Sequence, residues 1–321
     1  MRTEGIGGSE AAGVMNMSKY SSPLTVAMEK TGRIKPDDIS QEDPIIMGNL
    51  MEPLIRNNIV KPILKQRLDL DVEVIDPTHM YRSDIYPWMI INTDGFLIVT
   101  TKLKEGEEPG DCGTEAKLIG LELKFRSSYM LQYYGGRDGS EVMDSDYCQV
   151  QHYMAGTGLD EFLVFAMCGS LPVIRFVPRN DKFIIALVEE ERKLWEIIQE
   201  NNIMNFPAPN GSDADQKVVD HLGRPQSEEA AMIPQDEEKM VLHKYLGSEI
   251  KRLTEDRKRI QQEILMDMGI HKYGETDNMM VTNSRFPVTR LDGKRLRLEK
   301  PEIAEEYSNT TESSRFSVKE R

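Results

Sequence analysis

The sequence predicts an α/β fold: a mixed central sheet flanked by helices, followed by a C-terminal helical and β extension. Three observations predict it. Short runs rich in β-branched and apolar residues recur at 72–75, 88–91, 96–100, 118–125, 162–167 and 173–177. Helix-period stretches are interleaved with them through connections of mixed kind, which calls for a mixed sheet with helices against it. Apolar residues make up 39% of the 321 and charged residues 29%, enough for a real core in a domain of roughly 200 residues plus a smaller unit.

Each element has its local reason. Gly5-Ile6-Gly7-Gly8-Ser9-Glu10 reads as a glycine turn opening a short helix, with Ser9 as N-cap and Glu10 in the first turn. A second helix over 22–32 follows Pro23. A longer helical pattern runs from Ile45 to about Leu68, bent or restarted at Pro53. The polar tip Lys104-Glu105-Gly106-Glu107-Glu108-Pro109-Gly110-Asp111 turns the chain between two apolar runs, as in a β-hairpin. Helices are expected at 144–157 and 186–200. The predicted organisation is a first domain over 1–205, a Pro/Asn/Gly/Asp-rich linker over 206–238 and a tail over 239–321. That tail is read as a charged helix over 237–270 and a small β piece with a basic flank at 279–299. In the helix Leu246, Ile250, Leu253, Ile260 and Ile264 step by threes and fours, with Arg257 breaking the seam, which suits a helical hairpin or short coiled coil.

Composition excludes several classes. No run approaches the ~18 consecutive apolar residues of a membrane span, and Met1-Arg2-Thr3-Glu4-Gly5 has no apolar signal core, so a cytoplasmic location with no membrane partner is the expectation. Cys112, Cys148 and Cys168 are scattered and odd in number, which argues against a disulfide scaffold or a zinc site. There is no GKS/T, hence no P-loop. The net charge of −14 is concentrated in front, where residues 1–205 hold 21 basic against 32 acidic side chains. That weighs modestly against a large nonspecific DNA-coating surface and little against an enclosed metal site, because bound cations reverse the sign of a carboxylate cluster.

Glu122 and Lys124 lie two apart on an apolar run, so on a strand they project together while Leu121, Leu123 and Phe125 face a core. An alternating edge strand would give the same pattern. Asp94 stands with Gly95 between two strands, where an acid points into a cleft or makes a plain turn. Glu52, four residues after Gly48 on a helix, reads alone as a solvated acid. Together the three acids and the lysine suit metal-dependent phosphodiester hydrolysis. Asp94 and Glu122 would hold one Mg²⁺ with the carbonyl of Leu123, and Glu52 and Asp94 a second. Two ions about 4 Å apart clamp the attacking water and the leaving oxygen. Lys124 would orient or deprotonate the water or neutralise the phosphorane, and beside two cations it should titrate more easily than a surface lysine. Gln149 and Tyr153, four apart on one helix face, could brace the carboxylates or contact phosphate, or form an ordinary polar face. Gln151 joins them as a candidate phosphate contact. The amides of Gly7, Gly8 and Ser9, the Ser9 hydroxyl and the guanidinium of Arg2 offer a phosphate seat, with a plain cap the alternative.

The ordered set Arg2, Gly5-Ile6-Gly7-Gly8-Ser9-Glu10, Gly48-x-x-x-Glu52, Asp94-Gly95, Glu122-Leu123-Lys124 and Gln149-Val150-Gln151-x-Tyr153 resembles the YqaJ-like viral recombinase family over roughly residues 2–200. These phage alkaline exonucleases are related to lambda exonuclease and belong to the PD-(D/E)xK nuclease superfamily. The resemblance implies a restriction-endonuclease-like fold of the lambda exonuclease type. It also implies a Mg²⁺-dependent 5′→3′ exonuclease, Mn²⁺ substituting, that trims linear double-stranded DNA ends to 3′ overhangs for recombination by strand annealing. By the same resemblance Glu52, Asp94 and Glu122 match the metal acids, Lys124 the catalytic lysine and Gln149 a supporting residue, while Arg2 and Ser9 match the 5′-phosphate positions. It further implies a ring-shaped trimer, a RecT-type single-strand annealing protein as partner, and a phage or prophage protein in the bacterial cytoplasm. The segments Arg290-x-Asp292 and Phe316–Lys319 also look like the end of longer members. The rival readings are an endonuclease or DNA-repair nuclease of the same superfamily, and an inactive DNA-binding or assembly protein. An iron–sulfur branch would need four cysteines.

Overall fold

Strand β7 (Glu161–Cys168) is apolar at nearly every position because both of its faces are covered. It pairs in parallel with β6 (Glu115–Arg126) and antiparallel with β8 (Leu171–Pro178). On the other side β6 pairs antiparallel with β5 (Gly95–Thr101), and β5 with β2 (Asp71–Ile75). The five-stranded order β2-β5-β6-β7-β8, with one parallel pair, is the mixed sheet the sequence predicts. The computed structural model describes residues 4–36, 38–77, 79–101, 115–136, 139–222, 233, 236–309 and 318. The acidic tip at 104–111 lies outside the described residues, although the strands entering and leaving it pair as a hairpin must.

Alternation along β7 divides the core. Phe162, Val164 and Ala166 face helix α5 (Asp144–Thr157), together with Val150, Tyr153 and Met154 from that helix. Leu163 and Phe165 face the opposite layer, built from α3 (Asp43–Leu54), a π-helical turn (Ile55–Ile59) and α4 (Val60–Leu68). Gly120 of β6 permits the close fit, since a Cβ there would stand 2.2 Å from the ring of Phe162. The helix expected to bend at Pro53 continues one residue past it and then relaxes into the π turn. Pro53 and Pro62 each withhold an N–H from the ladder on either side of that turn.

Behind α5 lie α1 (Gly8–Val14), α2 (Pro23–Lys30) and α6 (Asp181–Glu200). Strand β1 (Ile6–Gly7) joins β4 (Met89–Ile91) and β3 (Tyr81–Arg82) in a small second sheet. Ser22 caps α2 by accepting the Thr25 N–H at 3.0 Å. Ser9, expected as the cap of α1, is instead inside the helix and exposed. The N-cap is Gly7, whose N–H goes to the Glu10 carboxylate at 2.8 Å, and Glu10 in turn binds Lys30 at 2.7 Å.

The chain divides into two compact units, residues 1–226 and 227–321. The first reaches past the expected boundary at 205 because residues 213–222, within the predicted linker, form helix α7. Val218 packs on Leu24 and Met28, and the Asp215 carboxylate accepts hydrogen bonds from the Ser22 hydroxyl and, at 2.6 Å, the Asn210 N–H. The second unit contains one long helix α8 (Glu237–Met268), a hairpin of β9 (Tyr273–Glu275) and β10 (Met280–Thr282), and helices α9 (Gly293–Glu299) and α10 (Pro301–Glu306). The basic flank with Lys294, Arg295 and Arg297 is therefore helical rather than β. Asp292 caps α9 through the Arg295 N–H at 3.0 Å. Among the described residues no helix is long and apolar enough to cross a membrane.

Candidate active site

Gly120, Glu122, Lys124 and Arg126 share the face of β6 that looks toward α5, while Ile119, Leu121 and Leu123 enter the opposite core. Glu122 is 2% exposed. The Lys124 ammonium donates to Glu122 Oε1 at 2.6 Å and to Gln149 Oε1 at 2.9 Å. The Gln149 amide nitrogen donates back to Glu122 Oε1 at 2.8 Å and to the Tyr153 hydroxyl at 3.1 Å. One amide thus binds the acid, the lysine and the phenol, the bracing alternative for Gln149 and Tyr153; Tyr153 is buried and is not the phosphate contact also expected of it. Its ring packs against Gly8 so closely that a Cβ there would stand 2.4 Å from it.

Asp94 enters from the neighbouring strand for a backbone reason. Strand β5 begins at Gly95, opposite Leu121, so the ladder stops before it reaches the Leu123 N–H. The Asp94 carboxylate accepts that N–H at 2.7 Å and is held beside Glu122. The Asp94 carbonyl accepts from Arg56 Nη1 at 2.8 Å; the same guanidinium lies 3.4 Å from Glu52 and 3.2 Å from Asp76. Glu52 therefore comes to the site from α3, with Arg56 fixing helix and turn together. Gly48, Glu52, Asp94, Glu122, Leu123 and Lys124 line one cavity of about 220 Å³.

The electrostatics of this cavity favour added positive charge. Burial pushes the Glu122 carboxyl up to about 8, with Lys124 opposing and Asp94 reinforcing. Burial also raises Asp94, against the pull of Lys124 and the Leu123 N–H, and burial followed by the charge of Asp94 raises Glu52. Glu122 Oε2 is buried and accepts no hydrogen bond. An orphaned carboxylate oxygen among hard oxygen donors fits a divalent cation such as Mg²⁺. Among the described residues no three Asp, Glu, His or Cys side chains stand close enough to form a ready metal cage, so the fit rests on that orphaned oxygen and the crowded carboxyls. Burial would lower Lys124, but the charges of Glu122, Asp146 and Asp94 outweigh it and hold the ammonium charged.

Other expected contacts fall elsewhere. Gln151 is fully buried, its amide nitrogen bound to the Pro178 carbonyl at 2.9 Å and its oxygen to the Asn180 N–H at 3.0 Å. Two residues after Gln149, it is turned about 200° around the helix and ties α5 to the β8–α6 corner. It is not a phosphate contact. At the start of α1 the Glu10 carboxylate takes the Gly7 N–H, one of the three amides of the expected phosphate seat, while Ser9 is exposed on the first turn. Arg2 and the segment 310–317 lie outside the described residues.

Three participants escaped the sequence reading. Arg56 is four residues after Glu52, and Arg126 continues the alternation of Glu122 and Lys124; both spacings could have drawn attention. Asp146, one helical turn before Gln149, is buried with its carboxylate 3.1 Å from Arg126, 2.6 Å from the Tyr134 hydroxyl and 3.9 Å from Lys124.

His152 is a structural residue. Both ring nitrogens are engaged in the core, Nδ1 with Glu191 at 2.7 Å and Nε2 with the Ile90 carbonyl at 3.2 Å. Burial disfavours the imidazolium, but the Glu191 carboxylate prevails and raises the ring above its ordinary value. The stabilisation from this pair is thus fully present below the unfolded histidine value and is lost as pH rises through the folded one. His152→Leu is expected to cost about 3–5 kcal/mol in urea unfolding by stranding Glu191, and removing both partners should recover part of it.

Comparison with known proteins places this site in context. Residues 1–160 match the YqaJ-like viral recombinase domain. Over 326 aligned residues the chain is 23% identical to the uncharacterized protein YqaJ of Bacillus subtilis (strain 168), covering 99% of this chain and 92% of that one. Among solved structures it is similar to an alkaline exonuclease (LHK-Exo) from Laribacter hongkongensis, with a TM-score of 0.43, 14% identity, and 62% of this chain and 90% of that one covered. The same exonuclease in complex with dAMP gives 0.44 at the same identity and coverage.

Proposed function

Since residues 1–160 belong to the YqaJ-like viral recombinase domain family, we propose that this protein is a metal-dependent 5′→3′ exonuclease acting on ends of double-stranded DNA and leaving 3′ single strands for annealing. The observation that carries the reading is the convergence of Glu52, Asp94, Glu122 and Lys124 on one cavity, with Glu122 Oε2 buried and unbonded. Asp94, Glu122 and the Leu123 carbonyl would hold a divalent cation, with Glu52 and Asp94 contributing to a second. When bound, such ions supply Lewis acidity to the phosphate and a low-pKa water.

The chain's own groups do the rest. Lys124, kept charged by the acids around it, places an ammonium where phosphorane charge develops, a position in which a buried donor acts most strongly. Gln149 fixes the lysine relative to Glu122, and Tyr153 fixes Gln149. Arg56 sets the Asp94 turn. Asp146 supports Lys124 and Arg126 from behind without facing the cavity. Asp146→Asn is expected to lower kcat by roughly 10–100-fold with KM for DNA nearly unchanged, the effect typical of removing a partner that orients a ligating group. Steady-state kinetics on a linear duplex would check it.

The reading is tested by digesting 5′-labelled linear duplex and supercoiled circles with and without Mg²⁺. Mg²⁺-dependent release of label as short products from the linear substrate, with circles untouched, is expected. Nicking of circles would support the endonuclease reading, and binding of DNA without any cleavage the inactive assembly reading.

A further inference from the structure

A short stretch of the second unit reverses the charge balance of the chain. Residues 285–300 hold Arg285, Arg290, Lys294, Arg295, Arg297 and Lys300 against Asp292 and Glu299, in a protein whose net charge is −14. Arg295 is held by Glu299 at 2.8 Å, while the other five cations are exposed and carry no ion pair among the described residues. The chain has no regular secondary structure over 283–292 and then enters α9. Between the cations stand Phe286, Leu291 and Leu298, which are 75%, 80% and 84% exposed. Lys294, Arg297 and Leu298 share one face of α9. A stretch that buries so little of its own apolar surface is poorly suited to a core role, and its charge selects its partner. The acid excess lies in residues 1–205, with 21 basic against 32 acidic side chains, a balance unfavourable to a polyanion away from bound cations. Phosphates held beyond the metal cluster need a concentrated basic segment, and 285–300 is one. The interleaved apolar side chains choose between strands: unstacked bases offer them flat faces, whereas a duplex keeps its bases stacked inside.

We propose that residues 285–300 bind single-stranded DNA through its phosphates and unstacked bases. The inference rests on the nuclease reading only for the origin of that strand, which would be the 3′ strand left by digestion. Its test is fluorescence anisotropy of labelled oligo-dT with the full chain in EDTA, where no cleavage is needed. Arg290→Ala with Lys294→Ala and Arg297→Ala, all exposed positions, should weaken binding roughly 10-fold or more at about 50 mM KCl. In the same triple variant the fall of log affinity with log salt should become shallower by about 2. Phe286→Ala should weaken binding about 10-fold with the salt slope kept, and should leave affinity for a blunt duplex of equal length unchanged. A parent chain that does not bind oligo-dT, or a triple variant with the parent's affinity and slope, overturns the proposal. So does an equal loss of single-strand and duplex binding in Phe286→Ala. A parent that binds oligo-dT through these residues yet cuts no duplex in Mg²⁺ would uphold this inference and count against the nuclease reading alone.

Discussion

Lys124→Ala is expected to lower turnover of linear duplex DNA by roughly 10³-fold while leaving duplex binding intact, since removal of one buried charged donor at a reacting centre has that order of effect. The size follows from position. The ammonium is held by Glu122 at 2.6 Å and Gln149 at 2.9 Å, so its place is set before substrate arrives. Lys124→Arg should rescue little, because a planar fork cannot reproduce that geometry. The measurement is single-turnover digestion beside a filter-binding isotherm. Unchanged turnover in Lys124→Ala would remove the lysine from the chemistry.

Glu122→Gln should abolish activity and change stability in the opposite sense. The buried acid binds its proton more tightly when folded than when unfolded, with a folded value of about 8. Between the unfolded carboxylate range and that value the folded state holds more protons. Metal-free protein therefore loses stability as pH rises through this window. Asp94 and Glu52 are also raised and act in the same direction. Glutamine has no proton to give up, so in EDTA the variant should be flatter in Tm against pH and more stable than the parent above pH ~8. Each kcal/mol so gained moves Tm by roughly 2–4 °C in a body of this size. Mg²⁺ or Mn²⁺ should raise the Tm of the parent by mass action and leave the variant unmoved. A parent indifferent to the cation would count against the metal reading without any reference to activity.

Much of this architecture was legible because local patterns and global fold agree. The β6 alternation put Glu122 and Lys124 on one face and Leu121 and Leu123 on the other, and the helix expected over 144–157 forms with those bounds. The joining of Asp94 to that pair follows from a ladder that ends one residue early, which pairing reveals and spacing does not. Ser9 looked like a cap because hydroxyls usually are, yet Glu10 reached back to Gly7 and moved the helix start. Gln151 shared a motif with Gln149 but lies on the other side of a 3.6-residue helix. Asp146 was illegible for a different reason, since its partners Arg126 and Lys124 lie on a strand distant in sequence. The helix at 213–222 was hidden by the turn-forming residues around it, and the burial of its anchor, Asp215, is explained by Ser22 and Thr25 across the fold.

The most direct measurement is anomalous diffraction from crystals soaked in Mn²⁺. A peak within coordination distance of Asp94, Glu122 and the Leu123 carbonyl, lost in Glu122→Gln, is the expected result. Density with no ion among these oxygens, in crystals whose protein still cleaves DNA, would contradict it.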